Sequence, residues 1–223
     1  MHDPFRAGLA SGWKHVDASG LTADRRFEAD VVIVGSGAGG GVTAEILARA
    51  GLAVIIVEEG PLRTSDDFRM RESEAYPDLY QDSAARKTAD KAINILQGRC
   101  VGGSTTVNWT SNFRTPPATL QWWQQAHGLK SLSVEAMAPW FMAMEQRLHV
   151  GQWPIPPNEN NAALARGAVK LGIPAAVIRR NVKMCWNLGY CGMGCPTNAK
   201  QSMLVTTIPG ALEQGATLIS RLR

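Results

Sequence analysis

Between Ala29 and Gly60 the chain reads ADVVIVGSGAGGGVTAEILARAGLAVIIVEEG, and few folds accept such a stretch. Val31 to Val34 is an all-apolar, β-branched run, the composition of a parallel strand covered on both faces. Gly35, Gly37 and Gly40 then supply G-x-G-x-x-G. The first glycine permits a tight turn, the second a close backbone approach to a pyrophosphate, and the third close packing of helix on strand. The pattern predicts a helix from about Ala38 that carries Val42, Ile46, Leu47 and Ala50 on one side and stops at Gly51. Leu52 to Val57 reads as a second buried strand, closed by Glu58. A carboxylate there accepts hydrogen bonds from both hydroxyls of an adenosine ribose and repels a 2′-phosphate, which disfavours NADP. Strand, turn, helix, strand and acid in this order predict an α/β, Rossmann-like fold that holds the ADP half of a dinucleotide.

Composition excludes several other classes. The net charge of +4 over 223 residues is spread out, with no basic run or interleaved aromatics of the kind that binds nucleic acid. No apolar stretch has the length of a transmembrane helix. The first twenty residues lack the charged start and apolar centre of a signal peptide. Arg25-Arg26 does precede an apolar run, as in a twin-arginine signal, but that run is the first strand of the nucleotide motif. The expected location is cytoplasmic, with a peripheral membrane association as the alternative.

Along the chain, residues 1–28 read as an N-terminal arm and 29–115 as the first part of the nucleotide-binding domain. Residues 116–200 read as a helical cap and cysteine loop on the substrate side, and 201–223 as a return to the first domain. Residues 61–92 are polar and offer no second βαβ unit, so the Rossmann-like domain is interrupted. Ile93 to Leu96 is strand-like. Pro116-Pro117 opens a helical region containing Trp122 and Trp123. Pro139 suits the first position of another helix, whose Trp140, Phe141, Met144 and Leu148 read as core. Residues 151–160 form a proline-rich connection, and Asn160 to Leu171 a further helix ending at Gly172. A helix near Leu204 to Gln214 and a strand over Ala216 to Leu222 close the chain. A stop inside a strand leaves a sheet edge open, so the chain is expected to be the N-terminal portion of a longer protein.

A second glycine segment, Gly98-Arg99-Cys100-Val101-Gly102-Gly103-Ser104, is followed four residues later by Asn108. Adjacent glycines and a hydroxyl let backbone amides face a phosphate or a planar ring. Together, the two glycine motifs resemble those of the glucose–methanol–choline (GMC) oxidoreductases, over nearly the whole of Ala29 to Arg223. Val107-Asn108-Trp109-Thr110, Thr115-Pro116, Gln121-Trp122 and GYCGMGCPTNAKQS are most similar to the long-chain alcohol oxidase branch and related bacterial proteins. The resemblance implies an FAD-dependent oxidoreductase that oxidises the CH–OH group of an alcohol, long-chain or hydrophobic, with oxygen or another acceptor. By this likeness Gly35, Gly37, Gly40 and Glu58 hold the ADP part of FAD. Gly102, Gly103, Ser104 and Asn108 line its pyrophosphate and isoalloxazine region.

In members with covalent flavin a histidine precedes the motif asparagine; here Val107 stands there, which implies non-covalent FAD. The family's catalytic histidine, with its partner histidine or asparagine, lies near the C-terminus of the full-length enzymes. None of His2, His15, His127 and His149 matches it, so no catalytic residue is assigned within this chain.

Cys185, Cys191 and Cys195, spaced x5 and x3 and followed by Pro196, resemble the loop of sugar dehydrogenase subunits in this family that carry an iron–sulfur cluster. Two readings stay open: cluster ligands, or packed thiols of a family-specific loop. Cys100, within the second glycine motif, does not suit a fourth ligand, and zinc lacks a nearby histidine. The alternatives to an alcohol oxidase are therefore a dehydrogenase subunit that passes electrons through a cluster to a cytochrome or quinone, and a non-catalytic FAD-binding fragment.

Overall fold

The computed structural model describes residues 3–153 and 155–223; His2, and Pro154 of the proline-rich connection, lie outside the described residues. In chain order the first elements are α1 (Pro4–Ala10), β1 (Lys14–Asp17), β2 (Val31–Val34), α2 (Ala38–Arg49), β3 (Val54–Val57), α3 (Glu72–Leu79) and α4 (Ser104–Val107). There follow β4 (Ser111–Asn112), α5 (Pro117–His127), α6 (Val134–Arg147), β5 (Val150–Gly151), α7 (Glu159–Lys170), β6 (Arg179–Asn181), α8 (Thr207–Glu213) and β7 (Thr217–Ser220). They form two compact units. One takes the chain up to Trp109 together with Lys183–Arg223, and the other is Thr110–Val182.

The first unit is built on a four-stranded parallel sheet in the order β1-β7-β3-β2. Ile56 of β3 and Leu218 of β7, the two inner strands, are fully buried, as are Ile208 and Ala211 of α8. This is the α/β, Rossmann-like architecture expected. The expected N-terminal arm, however, contributes a strand. β1 pairs in register with β7, Lys14 opposite Thr217 through Asp17 opposite Ser220. It carries a polar, half-buried edge sequence, KHVD, with no apolar run to announce it.

The helix face is also corrected. Ile46 is 57% exposed, and α2 buries Gly41, Ala44, Glu45 and Ala48 instead. The reason is the closeness of α8 and the loop before it: a Cβ on Gly41 would lie 2.7 Å from Thr207 Oγ1 and 3.1 Å from Met203 Cβ. Small residues, not large apolar ones, permit that approach. β2 is likewise not covered on both faces. It is the edge strand; Ile33 turns toward α2, while Val32 and Val34 point away and are exposed, Val34 by 86%. Ile93 to Leu96 forms no strand, only a bridge between Lys87 and Asn94, and Ile93 and Leu96 stay exposed.

The second unit holds the antiparallel sheet β4-β6-β5 and helices α5, α6 and α7. α6 starts five residues before Pro139, because Ser133 caps it by accepting from Ala136 N at 3.1 Å. A side-chain cap is the stronger start signal, and Pro139 sits early enough to forfeit only one intrahelical bond. No residue of α6 is fully buried, and Trp140 is 67% exposed, so the aromatic stripe is not core. Glu145 of α6 accepts two hydrogen bonds of 2.8 Å from Arg114 and pairs with Arg179 of β6 at 2.9 Å. The unit boundaries at 109/110 and 182/183 differ from the expected 115/116 and 200/201. The cysteine loop therefore belongs with the nucleotide-type sheet, since Lys183 N bonds Ala199 O at 2.8 Å and closes the loop on that unit.

Two outcomes follow from this packing. Gly41→Val should lower stability by about 1–3 kcal/mol through overpacking against α8, read from the urea midpoint. The two arginines, Arg114 first, hold the Glu145 carboxyl down to about 2 from its ordinary 4.5. Because the folded form is the stronger acid, this contribution is complete above 4.5 and is lost as pH falls toward 2. Glu145→Gln should thus destabilise the protein at neutral pH, and the gap from wild type should close in acid unfolding curves as pH nears 2.

Candidate functional site

The two glycine motifs, more than sixty positions apart in the chain, meet at the N-terminus of α2. A Cβ on Gly103 would come within 2.9 Å of Gly37 Cα, so the two backbones touch with no room for side chains. Gly35 and Gly102 hold φ of +91° and +87°, in the region that favours glycine. Gly40 packs so tightly that a Cβ would lie 1.8 Å from Gly35 O. Gly37 is the N-cap of α2 and brings no side-chain cap, which leaves first-turn N–H groups and the positive dipole end for an anion.

The second motif is threaded past the end of β3. Val101 N donates to Pro61 O at 3.0 Å, and a Cβ on Gly60 would strike Arg99 O. Ser104 Oγ accepts from Gly98 N at 3.0 Å, closing the turn. The side chain of Ser104 is thereby a structural clasp as much as a lining group. Thr106 Oγ1 donates to Val101 O at 2.9 Å and Thr105 Oγ1 accepts from Met203 N at 3.0 Å, so α4 is fixed on two sides. Val107 is buried and Asn108 exposed at the C-terminal end of α4.

Glu58 stands at the C-terminal end of β3, as expected, but its carboxylate is buried and already engaged. Oε2 accepts from Ser36 N at 2.9 Å and from Ser36 Oγ at 2.5 Å, and Oε1 accepts from Gly60 N at 2.9 Å. Ser36 Oγ in turn accepts from Gly102 N at 2.9 Å. The acid, the first glycine turn and the second glycine motif thus form one buried relay. Oε2 already accepts twice, and Oε1 retains accepting capacity for one ligand hydroxyl. Ser36 was not among the expected site residues. It occupies a variable position of G-x-G-x-x-G, and its role depends on a partner 66 positions away.

The cysteines are not gathered. All four are free thiols, and among the described residues no group of three or more His, Cys, Asp or Glu is arranged to hold a metal ion. Cys185 accepts from Asn187 N at 3.3 Å, and Cys195 lies 3.4 Å from Thr197 Oγ1. Cys185 and Cys195 have local partners, and of the two readings left open for Cys185, Cys191 and Cys195 the iron–sulfur one is not shown. Cys100 is fully buried and burial pushes its thiol up to about 12, which keeps it protonated and inert. No described histidine belongs to the glycine site. His15 Nε2 lies 2.8 Å from Ser220 Oγ across the β1–β7 pair, and His127 stacks edge-on to Trp122 in α5.

The family profile described as GMC oxidoreductase matches residues 76–223, and the chain belongs to that family. It is 32% identical to the long-chain-alcohol oxidase FAO4B of Arabidopsis thaliana, over 89% of this chain and 26% of that protein. It is 37% identical to an uncharacterised GMC-type oxidoreductase of Mycobacterium tuberculosis, over 87% of this chain and 32% of that one. The chain therefore spans about a quarter to a third of these relatives. Among solved structures, pyridoxine 4-oxidase from Mesorbium loti shares the fold with a TM-score of 0.63 at 16% identity, covering 87% of this chain and 42% of that one. Formate oxidase shares it with a TM-score of 0.60 at 16% identity, covering 89% and 39%. Among the described residues no helix is long and apolar enough to cross a membrane.

Ser36→Ala strips the Gly102 N–H of its acceptor and Glu58 of a donor in a fully buried setting. The expected loss of stability is about 1–3 kcal/mol, the cost of leaving a buried polar group unsatisfied. Denaturant melts of wild type and variant check it.

Proposed function

We propose that this chain is the FAD-holding part of an oxidoreductase acting on CH–OH groups, with a long-chain or otherwise hydrophobic alcohol as substrate and oxygen as acceptor. The observation that carries this reading is the contact of Gly37 with Gly103, which unites the two glycine motifs at one helix N-terminus. The residues fit a dinucleotide. Gly35, Gly37 and Gly40 keep the pyrophosphate side free of side chains, and the open first turn of α2 offers donors and positive charge. Glu58, held rigid by Ser36 and Gly60, presents the remaining lone pair of Oε1 to a ribose hydroxyl. Gly102, Gly103, Ser104 and Asn108 line the continuation toward the ring. FAD when bound supplies the hydride acceptor.

The substrate class rests on the likeness to the long-chain-alcohol oxidases of Arabidopsis thaliana. No described histidine lies at the glycine site, so the group that takes the hydroxyl proton is assigned to the further length that the relatives possess. Val107 offers no nucleophile, which supports non-covalent binding.

Two measurements test the proposal on full-length protein. Acid precipitation should leave the yellow FAD spectrum in the supernatant; colour in the pellet refutes non-covalent binding, and no flavin after reconstitution refutes the reading. A panel of short alcohols, fatty alcohols and sugars, scored by hydrogen peroxide release, should respond most to the fatty alcohols. Glu58→Gln places an amide donor against the N–H groups of Ser36 and Gly60. Losing one charge-assisted bond of about 1.5–3 kcal/mol should weaken FAD binding about ten- to a hundred-fold by equilibrium titration.

A further inference from the structure

Lys200 is the buried charge that the reading above leaves unused. Its side chain is almost wholly enclosed, and among the described residues it has no carboxylate within ion-pairing distance. Its ammonium donates instead to two backbone carbonyls, Asn108 O at 2.8 Å and Cys191 O at 2.6 Å. Asn108 closes the second glycine motif, and Cys191 belongs to the cysteine loop. One residue along, the pattern repeats. Tyr80 Oη donates its one hydrogen to Gly192 O at 2.6 Å and shares it with Val107 O at 3.3 Å.

Residues 107–108 and 191–192 therefore present carbonyl oxygens toward each other. Two facing carbonyls repel, and in a buried setting each needs a donor. Tyr80 and Lys200 insert that donor at successive positions. The rest of the loop is pinned to the same unit: Asn198 Nδ2 donates to Ser65 Oγ at 2.9 Å, and Gly194 lies so close to the Phe68 ring that a Cβ would sit 2.3 Å from it. Gly192 faces the Trp109 indole with somewhat more room, a Cβ there lying 3.1 Å away. Burial pulls the Lys200 ammonium down to about 8, while the neighbouring thiols of Cys191, Cys195 and Cys100 act the other way. Burial pushes the Tyr80 phenol up to about 12, so it remains a donor.

We infer that Lys200 is a positioning residue, which clamps the cysteine loop onto the Val107–Asn108 segment and sets a positive charge beside the flavin-facing end of that motif. The cysteine loop is on this view a clasp, not a metal centre. The inference rests on the FAD reading given above. A buried cation with no counter-charge favours whichever state of its surroundings is more negative, and the reduced cofactor is the more electron-rich.

The test uses full-length, FAD-loaded protein. Lys200→Met keeps the length of the side chain and removes its charge and donors. It should weaken FAD binding about tenfold, the effect of one lost charge-assisted hydrogen bond. It should also shift the oxidised-to-reduced ratio at fixed poise about tenfold toward oxidised, which for a two-electron couple is roughly 30 mV. Tyr80→Phe removes a neutral donor, so it should weaken binding and leave the potential unchanged. A purely structural role would not separate the two variants in this way. Should Lys200→Met fail to fold, hydrogen exchange on wild type decides: adding FAD should slow exchange in 107–109 and 190–195 together. Wild-type affinity or wild-type potential in Lys200→Met overturns the inference, as does FAD protection confined to 107–109. A wild-type protein that takes up no FAD at all refutes the functional reading itself, and the inference falls with it.

Discussion

The first unit turns on a single buried carboxylate. Glu58 sits where β3 ends, and three donors converge on it from Ser36 and Gly60. Ser36 then passes the constraint to Gly102. A charge removed from water is tolerable only when its lone pairs are satisfied, and here the donors are the backbone of the very turn that must stay open. The glycines cannot hold that turn in place by themselves, because they have no side chains with which to do so. The relay supplies the missing rigidity from beneath, and it leaves the upper surface of the loop bare for a ligand.

The same logic explains α4. Four residues are far too few for a helix to form unaided, since nucleation costs more than one turn returns. Its N-terminal side is anchored through Gly102 to Ser36 and through Gly98 to Ser104, and its flank by Thr106 to Val101. Its C-terminal end is held by Tyr80 and Lys200 against the cysteine loop. A backbone-built site needs side chains from elsewhere, and each comes from a different stretch of chain.

That division marks how far the sequence could be read. The strand, glycine turn, α2 and Glu58 were legible because each constraint acts within a few residues: a positive φ, a helix start, an acid at a strand end. The face of α2 was not, because the closeness of α8 is set by contacts more than 150 positions away and selects Gly41 over Ile46. β1 escaped notice because an edge strand needs only backbone pairing, and KHVD carries no period. Ser36 and Lys200 are ordinary residues until their partners are known. The three cysteines stayed open between two readings for the opposite reason. Their spacing is a local signal, but whether thiols converge depends on the path of the loop.

That path shows why a loop rich in cysteine and glycine need not hold a metal. Ligation requires at least three side chains to turn inward on one point. In this loop the main-chain carbonyls of Cys191 and Gly192 turn toward the glycine motif, and what occupies the point between them is an ammonium and a phenol. Small residues at Gly192 and Gly194 let the backbone come close enough to Trp109 and Phe68 for those carbonyls to reach their donors. A metal cation would compete with Lys200 for the same space and the same oxygens. At that point the lysine supplies the positive charge, covalently tethered and directed at two carbonyl oxygens.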